Sequence, residues 1–266
     1  MNLKIVSLGS GSSGNAILII AENYGLLIDA GFTKKEILRR LELCSISPKE
    51  INALLISHEH GDHVKGARIL ADQLGIVTYA STLTANYLLT RNEISRNVVS
   101  FVSGASFKIN KYLIQTLQVS HDAIDPSGFI VSIENFRIGY AMDIGHLDMK
   151  TKIKLRGCDI LITEANYDEE LLRESKRPIS LKKRIQSNVG HLSNKQSIES
   201  FNDLIAENTK YVLLGHISAE CNCYEKLAKM VEHKLIELNR KDIHISLLKH
   251  NEPVLIDINI SVNLKY

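Results

Sequence analysis

The sequence predicts an α/β protein (α+β in some schemes) in which two β-sheets pack together and helices cover them from outside. Short apolar runs bounded by Gly, Asn and Asp recur along most of the chain, and such runs are typical of strands. Helical patterns lie between them, and strands with interspersed helices in two halves are typical of layered domains. Because no linker rich in Pro, Gly or Ser interrupts the 266 residues, we expect one domain, 1–266.

The predicted strands lie mainly in the first half of the chain. They are Leu3–Leu8, Ala16–Ala21, Tyr24–Asp29, Ala53–Ser57, Val77–Ala80, Val98–Val102, Ser106–Ile109, Tyr112–Val119, Gly128–Ile133, Phe136–Met142, Ile160–Thr163, Tyr211–Leu214, Ile243–Leu248 and Val254–Ile258. The Gly- and Ser-rich segment Gly9–Asn15 lies between two strands and lacks the Gly-Lys-Ser/Thr ending of a P-loop. It therefore predicts a tight hairpin that lines the floor of a cleft.

Helical periodicity accounts for the segments between and after these strands. Thr33 is expected to cap the first helix, with Glu36 as its capping-box partner. The cations Lys34, Lys35, Arg39 and Arg40 predict a solvated face on that helix. The predicted helices are Lys34–Leu43, Val64–Leu74, Thr82–Thr90, Ser180–Gln186, Asn194–Glu207 and Ala219–Asn239.

The composition is that of an ordinary globular protein, with 44% hydrophobic and 23% charged residues. A net charge of only +2 gives no global field that demands a nucleic-acid partner. No run of about 18 apolar residues predicts a membrane-spanning helix, and the start of the chain lacks a signal-peptide pattern. The four cysteines form no disulfide framework. The Cys-x-Cys spacing of Cys221 and Cys223 is a weak metal signal, and we favour two small thiols over a metal-binding pair. We therefore expect a reduced, cytoplasmic protein.

The strongest chemical signal is the segment His58–His63, which reads His-Glu-His-Gly-Asp-His. It follows the apolar run Ala53–Ile56, so its side chains are expected to leave the end of a buried strand. Gly61 predicts a sharp turn within the segment. Three imidazoles and a carboxylate so close together indicate metal binding more than a solvated loop.

The spacing of this segment suggests two ions. His58 and His60 can face one ion, while Asp62 and His63 can face a second a few ångströms away. Imidazole and carboxylate together suit zinc first, and also manganese or iron(II).

Three further polar residues repeat the same arrangement at the ends of predicted strands. His121 follows Tyr112–Val119, Asp143 follows Phe136–Met142, and His216 follows Tyr211–Leu214. Taken singly, each is expected to be a loop residue bonded to water. Together with the first segment, they indicate convergence on one site.

This set of residues, in this order and at compatible spacing, resembles the pattern of the metallo-β-lactamase superfamily. The resemblance covers nearly the whole chain and implies a four-layer αββα sandwich. It implies that His58, His60 and His121 bind one metal ion, that Asp62, His63 and His216 bind the other, and that Asp143 bridges them. Asp29, at the end of Leu26–Ile28, matches a position that orients the metal-binding loop through hydrogen bonds.

Within the superfamily, three segments are similar to the YycJ/WalJ (VicX) group of bacterial proteins: Ser7–Asn15, Leu161–Asp168 and Gly190–Asn194. That group is associated with DNA exonuclease activity and with a cell-wall two-component system. Its members often carry Leu-Ser-x-x-Asn-Asn after the last histidine. Here only Asn222 of that asparagine pair remains.

The resemblance implies two catalytic residues besides Asp62, which can also accept a proton. His191 is expected close to the scissile phosphate, and Glu164 is expected to orient it. A carboxylate partner fixes the imidazole tautomer and favours its charged form. Without the resemblance, these residues read as a histidine near a helix start and a surface glutamate.

A basic run precedes His191, and it reads equally as a phosphate-neutralising patch or as a solvated helix face. It consists of Arg173, Lys176, Arg177, Lys182, Lys183 and Arg184, against the single acidic residue Glu174.

These features together predict a metal-dependent phosphodiesterase, a DNA exonuclease that uses a hydroxide activated by two divalent metal ions. One alternative is thioester or lactam hydrolysis at the same metals. Another is a metal-binding regulatory partner of a cell-wall two-component system. The expected partner is a nucleic acid, DNA before RNA, with no membrane and no obligatory protein partner.

Overall fold

Two seven-stranded sheets form the framework of the protein, and each lies in a separate compact unit. The computed structural model describes residues 2–259. Within this range, the first unit contains residues 2–101 and 249–259, and the second contains Val102–Leu248. The single domain predicted over 1–266 stays a prediction.

The first unit has the strand order β14-β1-β2-β3-β4-β5-β6. Pairing is antiparallel from β14 to β3 and parallel from β3 to β6. Its strands are β1 (Asn2–Gly9), β2 (Ala16–Ala21), β3 (Tyr24–Ile28), β4 (Ile51–Leu55), β5 (Val77–Ser81), β6 (Val98–Phe101) and β14 (Val254–Asn259). Its helices are α1 (Lys34–Leu43), α2 (Gly61–Val64), α3 (Ala67–Leu74) and α4 (Thr82–Thr90), with a 3₁₀ turn at Pro48–Glu50.

The second unit has the order β13-β12-β11-β10-β9-β8-β7. Pairing is parallel from β13 to β10 and antiparallel from β10 to β7. Its strands are β7 (Ser106–Ile109), β8 (Tyr112–Gln118), β9 (Ser127–Ile133), β10 (Phe136–Ala141), β11 (Ile160–Glu164), β12 (Tyr211–Gly215) and β13 (His244–Leu247). Its helices are α5 (Met149–Leu155), α6 (Glu169–Glu174), α7 (Ile179–Ile185), α8 (Asn194–Leu204) and α9 (Tyr224–Glu237).

Each unit buries its own hydrophobic core between its sheet and its helices. In the first, Leu18 and Leu54 of the sheet pack in one cluster with Leu41 of α1 and Leu70 of α3. In the second, Leu161 and Leu214 of the sheet pack in one cluster with Phe201 of α8 and Leu227 of α9. β2 and β11 are buried along their whole length, which explains the continuous apolar run in β2 and at the start of β11.

Every predicted strand is present, with its ends within two residues of the prediction. The helix predicted at Val64–Leu74 is wrong in one respect, because the structure interrupts it at Gly66. The Gly66 amide donates to Ala30 O at 2.8 Å, and a Cβ at this position would lie 2.2 Å from Phe32 O. The chain therefore passes directly against the segment after β3, and α3 begins only at Ala67.

Other helix boundaries also depend on long-range contacts. The helix predicted from Ala219 begins at Tyr224, because Asn222 holds the preceding loop by donating to Ala165 O and Asn166 O. α5 and α6 were not predicted. α5 presents few apolar residues, but its capping residue, Asp148, which accepts a hydrogen bond from Thr151 N, was a usable signal.

The solvated face predicted on α1 is wrong for Arg40, whose side chain is only 3% exposed. Its guanidinium donates to Leu8 O at 2.7 Å and to His250 O at 2.5 Å. It also pairs with Glu36 at 2.6 Å and lies over the Phe32 ring, 3.9 Å from its centroid. Arg40 thus ties α1 to the end of β1 and to the segment before β14.

Two further features concern the oxidation state of the cysteines and the length of the helices. The four cysteines are free thiols. Among residues 2–259, no helix has both the length and the apolar character needed to span a membrane.

Candidate metal centre

In the first unit, the candidate ligands lie on the loop after β4 and in the short helix α2. His58 Nε2 and His60 Nδ1 are 3.1 Å apart. Two nitrogens bound to one tetrahedral zinc ion at 2.0–2.1 Å would lie about 3.3 Å apart. Asp62 and His63 form a second pair, with 3.7 Å between Asp62 Oδ2 and His63 Nε2. The donor atoms of each pair therefore lie where one ion can contact both.

The turn expected at Gly61 does not depend on glycine. Gly61 is the first residue of α2, and a Cβ there would meet no atom within 4 Å. The chain turns instead through a helix start, which places Asp62 and His63 in consecutive positions of one helical turn. No special backbone freedom is needed there.

Asp29 is fully buried and fixes this loop from behind. Its Oδ1 accepts a hydrogen bond from Ser57 N at 2.8 Å, and its Oδ2 accepts one from Ser57 Oγ at 2.8 Å. Oδ2 also lies 2.7 Å from His63 Nδ1. Because a carboxylate accepts, His63 Nδ1 carries the proton and Nε2 is left for an ion. This is the orienting role that the resemblance implied for Asp29.

Asn15 contacts two of the candidate ligands, which the sequence did not reveal. Its side-chain nitrogen lies 3.1 Å from His63 Nε2 and 3.4 Å from Asp62 Oδ2. Its oxygen accepts from Gly11 N and Ser10 Oγ, which holds the Gly-rich loop against the same residues. The available signals were its position at the end of that loop and its place in the segment Ser7–Asn15, which carries the resemblance.

In the second unit, the candidate ligands come from the ends of three strands. Asp143, after β10, lies with its Oδ1 3.2 Å from Nε2 of His216, which follows β12. Its Oδ2 lies 3.9 Å from Nε2 of His121, beyond β8. His121 Nδ1 is 3.2 Å from Gly190 O, so its Nε2 is the nitrogen that faces the carboxylate. One carboxylate thus faces two imidazoles with different oxygens.

Three of these strand ends share an unusual backbone. Asp29, Asp143 and His216 have φ values of 60°, 53° and 51°. Non-glycine residues rarely adopt this left-handed conformation, which costs of order 1–3 kcal/mol and is concentrated at functional sites. Because this conformation departs from the extended backbone of a strand, it also ends the sheet pairing at these positions.

Glu164 and His191 form a pair beside Asp143 and His216. Glu164 is fully buried at the end of β11, and its Oε1 accepts from Leu192 N at 2.6 Å and Ile144 N at 3.3 Å. Its Oε2 lies 3.2 Å from His191 Nδ1. The His191 side chain is 17% exposed and lies 3.6 Å from Asp143 Oδ1. The interpretation of Glu164 as a surface residue is therefore excluded.

Asn166 and Asn222 support His216, and Asn166 was missed by the sequence analysis. The Asn166 side-chain nitrogen lies 2.8 Å from His216 Nδ1 and donates to His216 O at 2.8 Å. Asn222 donates to the Asn166 carbonyl and exchanges two 2.8 Å amide hydrogen bonds with Asn194. Asn222 therefore acts through backbone and amide contacts that hold β11, the start of α8 and the loop after β12 together.

Much of the basic run before His191 is engaged within its own unit. Arg177 pairs with Glu220 at 2.9 Å, and Arg184 pairs with Asp122. Lys182 donates to two carbonyls at 2.6 Å, and Arg173 lies 3.5 Å from Glu170. Three of its six cations thus already pair with neighbouring carboxylates, and Lys182 is held by backbone carbonyls, which weakens the interpretation of the run as a phosphate patch.

The donor atoms in each unit fit a divalent metal ion. In the first unit they are imidazole nitrogens and one carboxylate, and in the second Asp143 and His216 lie together with Glu164 and His191 within 4.8 Å. Such sets suit zinc, manganese and iron(II). The clusters suggest divalent metal ions.

Comparison with known proteins defines the class. The beta-lactamase superfamily domain matches residues 24–217, and the chain belongs to that superfamily. The crystal structure of the metallo-β-lactamase fold protein YhfI from Bacillus subtilis superimposes with a TM-score of 0.72 at 15% identity, over 96% of this chain and 100% of that one. The predicted fold class, the four-layer αββα metallo-β-lactamase sandwich, and the predicted enzyme class, a hydrolase, are confirmed.

Two curated relatives are more similar in sequence. Exodeoxyribonuclease YycJ of Bacillus anthracis is 30% identical over 239 residues, which are 89% of this chain and 90% of that protein. Exodeoxyribonuclease WalJ of Streptococcus pneumoniae D39 is 32% identical over 231 residues, 85% of each chain. The predicted resemblance to this group is confirmed.

Proposed function

We propose that this protein is a metal-dependent phosphodiesterase that degrades DNA as an exonuclease. The observation that carries the proposal is the 30–32% identity to two exodeoxyribonucleases over 85–90% of their length. The pairing of Glu164 with His191 beside Asp143 supports it, because a positioned imidazole is useful where charge develops on phosphorus. A cytoplasmic location remains a prediction.

We propose seven residues as ligands of two metal ions, zinc first, with manganese and iron as alternatives. His58, His60 and His121 would hold one ion, Asp62, His63 and His216 the other, and Asp143 both. Within the first unit, the 3.1 Å separation of the His58 and His60 nitrogens supports a shared ion. Within the second, the two oxygens of Asp143 face different imidazoles, which supports a carboxylate shared by two ions.

When bound, divalent ions would supply a nucleophile at neutral pH and polarise the phosphoryl group. The remaining roles, orientation and proton transfer, would fall to side chains of the protein. Glu164 is held rigidly by two backbone amides, so it fixes the ring of His191. His191 is the group that would donate a proton to the leaving oxygen or a hydrogen bond to the phosphoryl oxygens. Asp62 is half-buried at the loop and would accept a proton.

The deciding experiment compares end-labelled single- and double-stranded DNA and RNA as substrates, with zinc and manganese added separately. We expect stepwise shortening of DNA that is abolished by chelator and by His60→Ala. His233→Ala is a matched control, because His233 is exposed on α9, outside the candidate ligands, and should leave the rate unchanged. Metal-loaded protein that leaves every substrate intact would exclude the proposal.

The same preparation distinguishes the alternatives. Faster turnover of a glutathione thioester than of bis-p-nitrophenyl phosphate would favour thioester hydrolysis. A regulatory, non-catalytic role would be favoured if ligand substitutions left the cellular phenotype intact.

A further inference from the structure

A cavity of about 880 Å³ opens beside His60 and Asp62, entirely within the first unit. Pockets that hold ligands of nucleotide size measure about 300–1,000 Å³. Besides the loop that carries the candidate ligands, its lining comes from the Gly-rich loop after β1, the end of α2, the start of α3, and the end of α4 with the segment that follows it. Those residues are Ser12, Ser13, Lys65, Arg68, Ile69, Tyr87, Asn92 and Glu93.

One wall contains an aromatic ring. Tyr87 is half-buried on α4, and Arg91 lies over one face of its ring, 4.5 Å from the centroid. Stacking under a guanidinium holds the ring in place. Ile69, which is 49% exposed, adds apolar surface to the same lining. Nucleobases stack on such rings in proteins that bind single strands.

A second part of the lining offers positive charge. Lys65 is exposed, and Arg68 is paired only loosely, with 3.7 Å between its guanidinium and Asp72, where both side chains are well exposed. Asn92 and Glu93 add an amide and a carboxylate that can meet the polar edge of a base. A phosphate, a base face and a base edge therefore each find a complementary group in one cavity.

We propose that this cavity is a subsite for one unpaired nucleotide of the substrate strand, with the base stacked on Tyr87 and its phosphate at Lys65 and Arg68. The subsite rests on the proposed function, since it adjoins the loop that would hold the metals. It implies that the protein engages a single strand, or a frayed end, because a base inside a duplex is already stacked between its neighbours.

The test measures binding of a fluorescein-labelled single-stranded DNA by anisotropy in chelator, together with KM for cleavage in metal. Tyr87→Leu keeps apolar volume against the core and removes the aromatic face. We expect it to weaken binding by about 5- to 100-fold, whereas Tyr87→Phe stays within about twofold. Melting temperatures show that each variant is folded.

An abasic scan locates the stacked base. One abasic nucleotide, moved along the oligonucleotide, should weaken binding by the wild-type protein at one position and have no further effect there on Tyr87→Leu, since both changes remove the same stacking interaction. Arg68→Ala should lower the salt dependence of log Kd by about 0.7 for each phosphate that it no longer neutralises. Arg96→Ala, an exposed arginine that does not line the cavity, should leave the slope unchanged.

The outcomes separate the two proposals. A flat abasic scan with Tyr87→Leu binding like wild type would overturn the subsite, while cleavage by the wild type keeps the exonuclease proposal intact. Loss of binding in Tyr87→Leu, with no cleavage by any metal-loaded protein, would uphold the subsite and overturn the exonuclease proposal.

Discussion

The candidate ligands of the two units are built in opposite ways. The first unit supplies four of them from six consecutive residues, His58–His63, on one loop and one helical turn. The second supplies three from the ends of β8, β10 and β12, which lie far apart in the chain. The local set is visible in the sequence and needs little support beyond Asp29 and Asn15. The dispersed set depends on sheet pairing and on a network of amide and carboxylate contacts around His216.

The two arrangements differ in what can disturb the spacing of the ligands. A loop that carries its ligands together keeps their spacing even if the surrounding structure shifts slightly. Strand-end ligands keep theirs only if neighbouring strands hold their register, as β10, β11 and β12 do through parallel pairing. In the second unit, more buried polar contacts therefore hold the ligands in position. Glu164, Asn166 and Asn222 make some of these contacts.

The most demanding test of this difference removes one ligand from each set. We expect His58→Ala and Asp143→Ala each to lower the DNA-degradation rate by at least about 100-fold, since even partners behind the ligands are worth about 10–100-fold. Metal content measured by mass spectrometry should fall in both. If either variant keeps its rate within about tenfold of wild type, the two sets do not serve one centre.

His191 tests the chemistry of the second unit apart from metal binding. We expect His191→Ala to lower kcat by about 10²–10³-fold while metal content stays at the wild-type level. Glu164→Gln keeps an oxygen for the Leu192 amide but places a donor opposite His191, so it should lower kcat less and change the pH profile. Unchanged kcat in His191→Ala would contradict the role.

The residues behind the ligands test how much support each set needs. Asp29→Asn keeps an oxygen for Ser57 N but places an amide donor opposite His63 Nδ1, and Asn166→Ala removes the contact to His216 Nδ1. We expect each to weaken metal affinity by about 10–100-fold. Titration with a zinc indicator measures this directly, and unaltered affinity in both would show that the ligands need no such support.

Two neighbouring arginines of α1 allow a test of stability within the first unit. Arg40→Ala leaves the Leu8 and His250 carbonyls without their donor, so we expect the free energy of unfolding to fall by about 2–4 kcal/mol. Arg39→Ala, at an exposed pair with Glu36, should change it by less than about 0.5 kcal/mol. Urea unfolding of both variants decides the point, and equal effects would contradict the burial of Arg40.

The smallest effect concerns pH. Hydrogen bonds from Arg39 and then Arg40 lower the pKa of Glu36 from 4.5 to about 2. Because the folded-state pKa is the lower one, this stabilisation is present above about pH 4.5 and is lost as the pH falls towards 2. In urea unfolding at pH 3 and pH 6, Glu36→Gln should lose less stability on acidification than wild type. Identical losses would assign the pH dependence to other carboxylates.

The sequence was informative wherever the determining pattern is local. Apolar runs located all of the strands, and Thr33 was correctly expected to cap α1. It failed where a distant contact sets the outcome. The helix expected from Val64 is interrupted because Gly66 lies against the segment after β3, and α9 starts late because Asn222 is bound to β11.

The His58–His63 loop, the strand-end residues and the superfamily could all be read from the sequence alone, because neighbours in the chain and a pattern of order and spacing specify them. Tertiary folding was needed to establish that Glu164 and Arg40 are buried, that Asn15 and Asn166 contact candidate ligands, and that Tyr87 lines a cavity beside the loop. These features depend on which distant segments meet, and burial and hydrogen bonding between such segments leave no periodicity in the sequence.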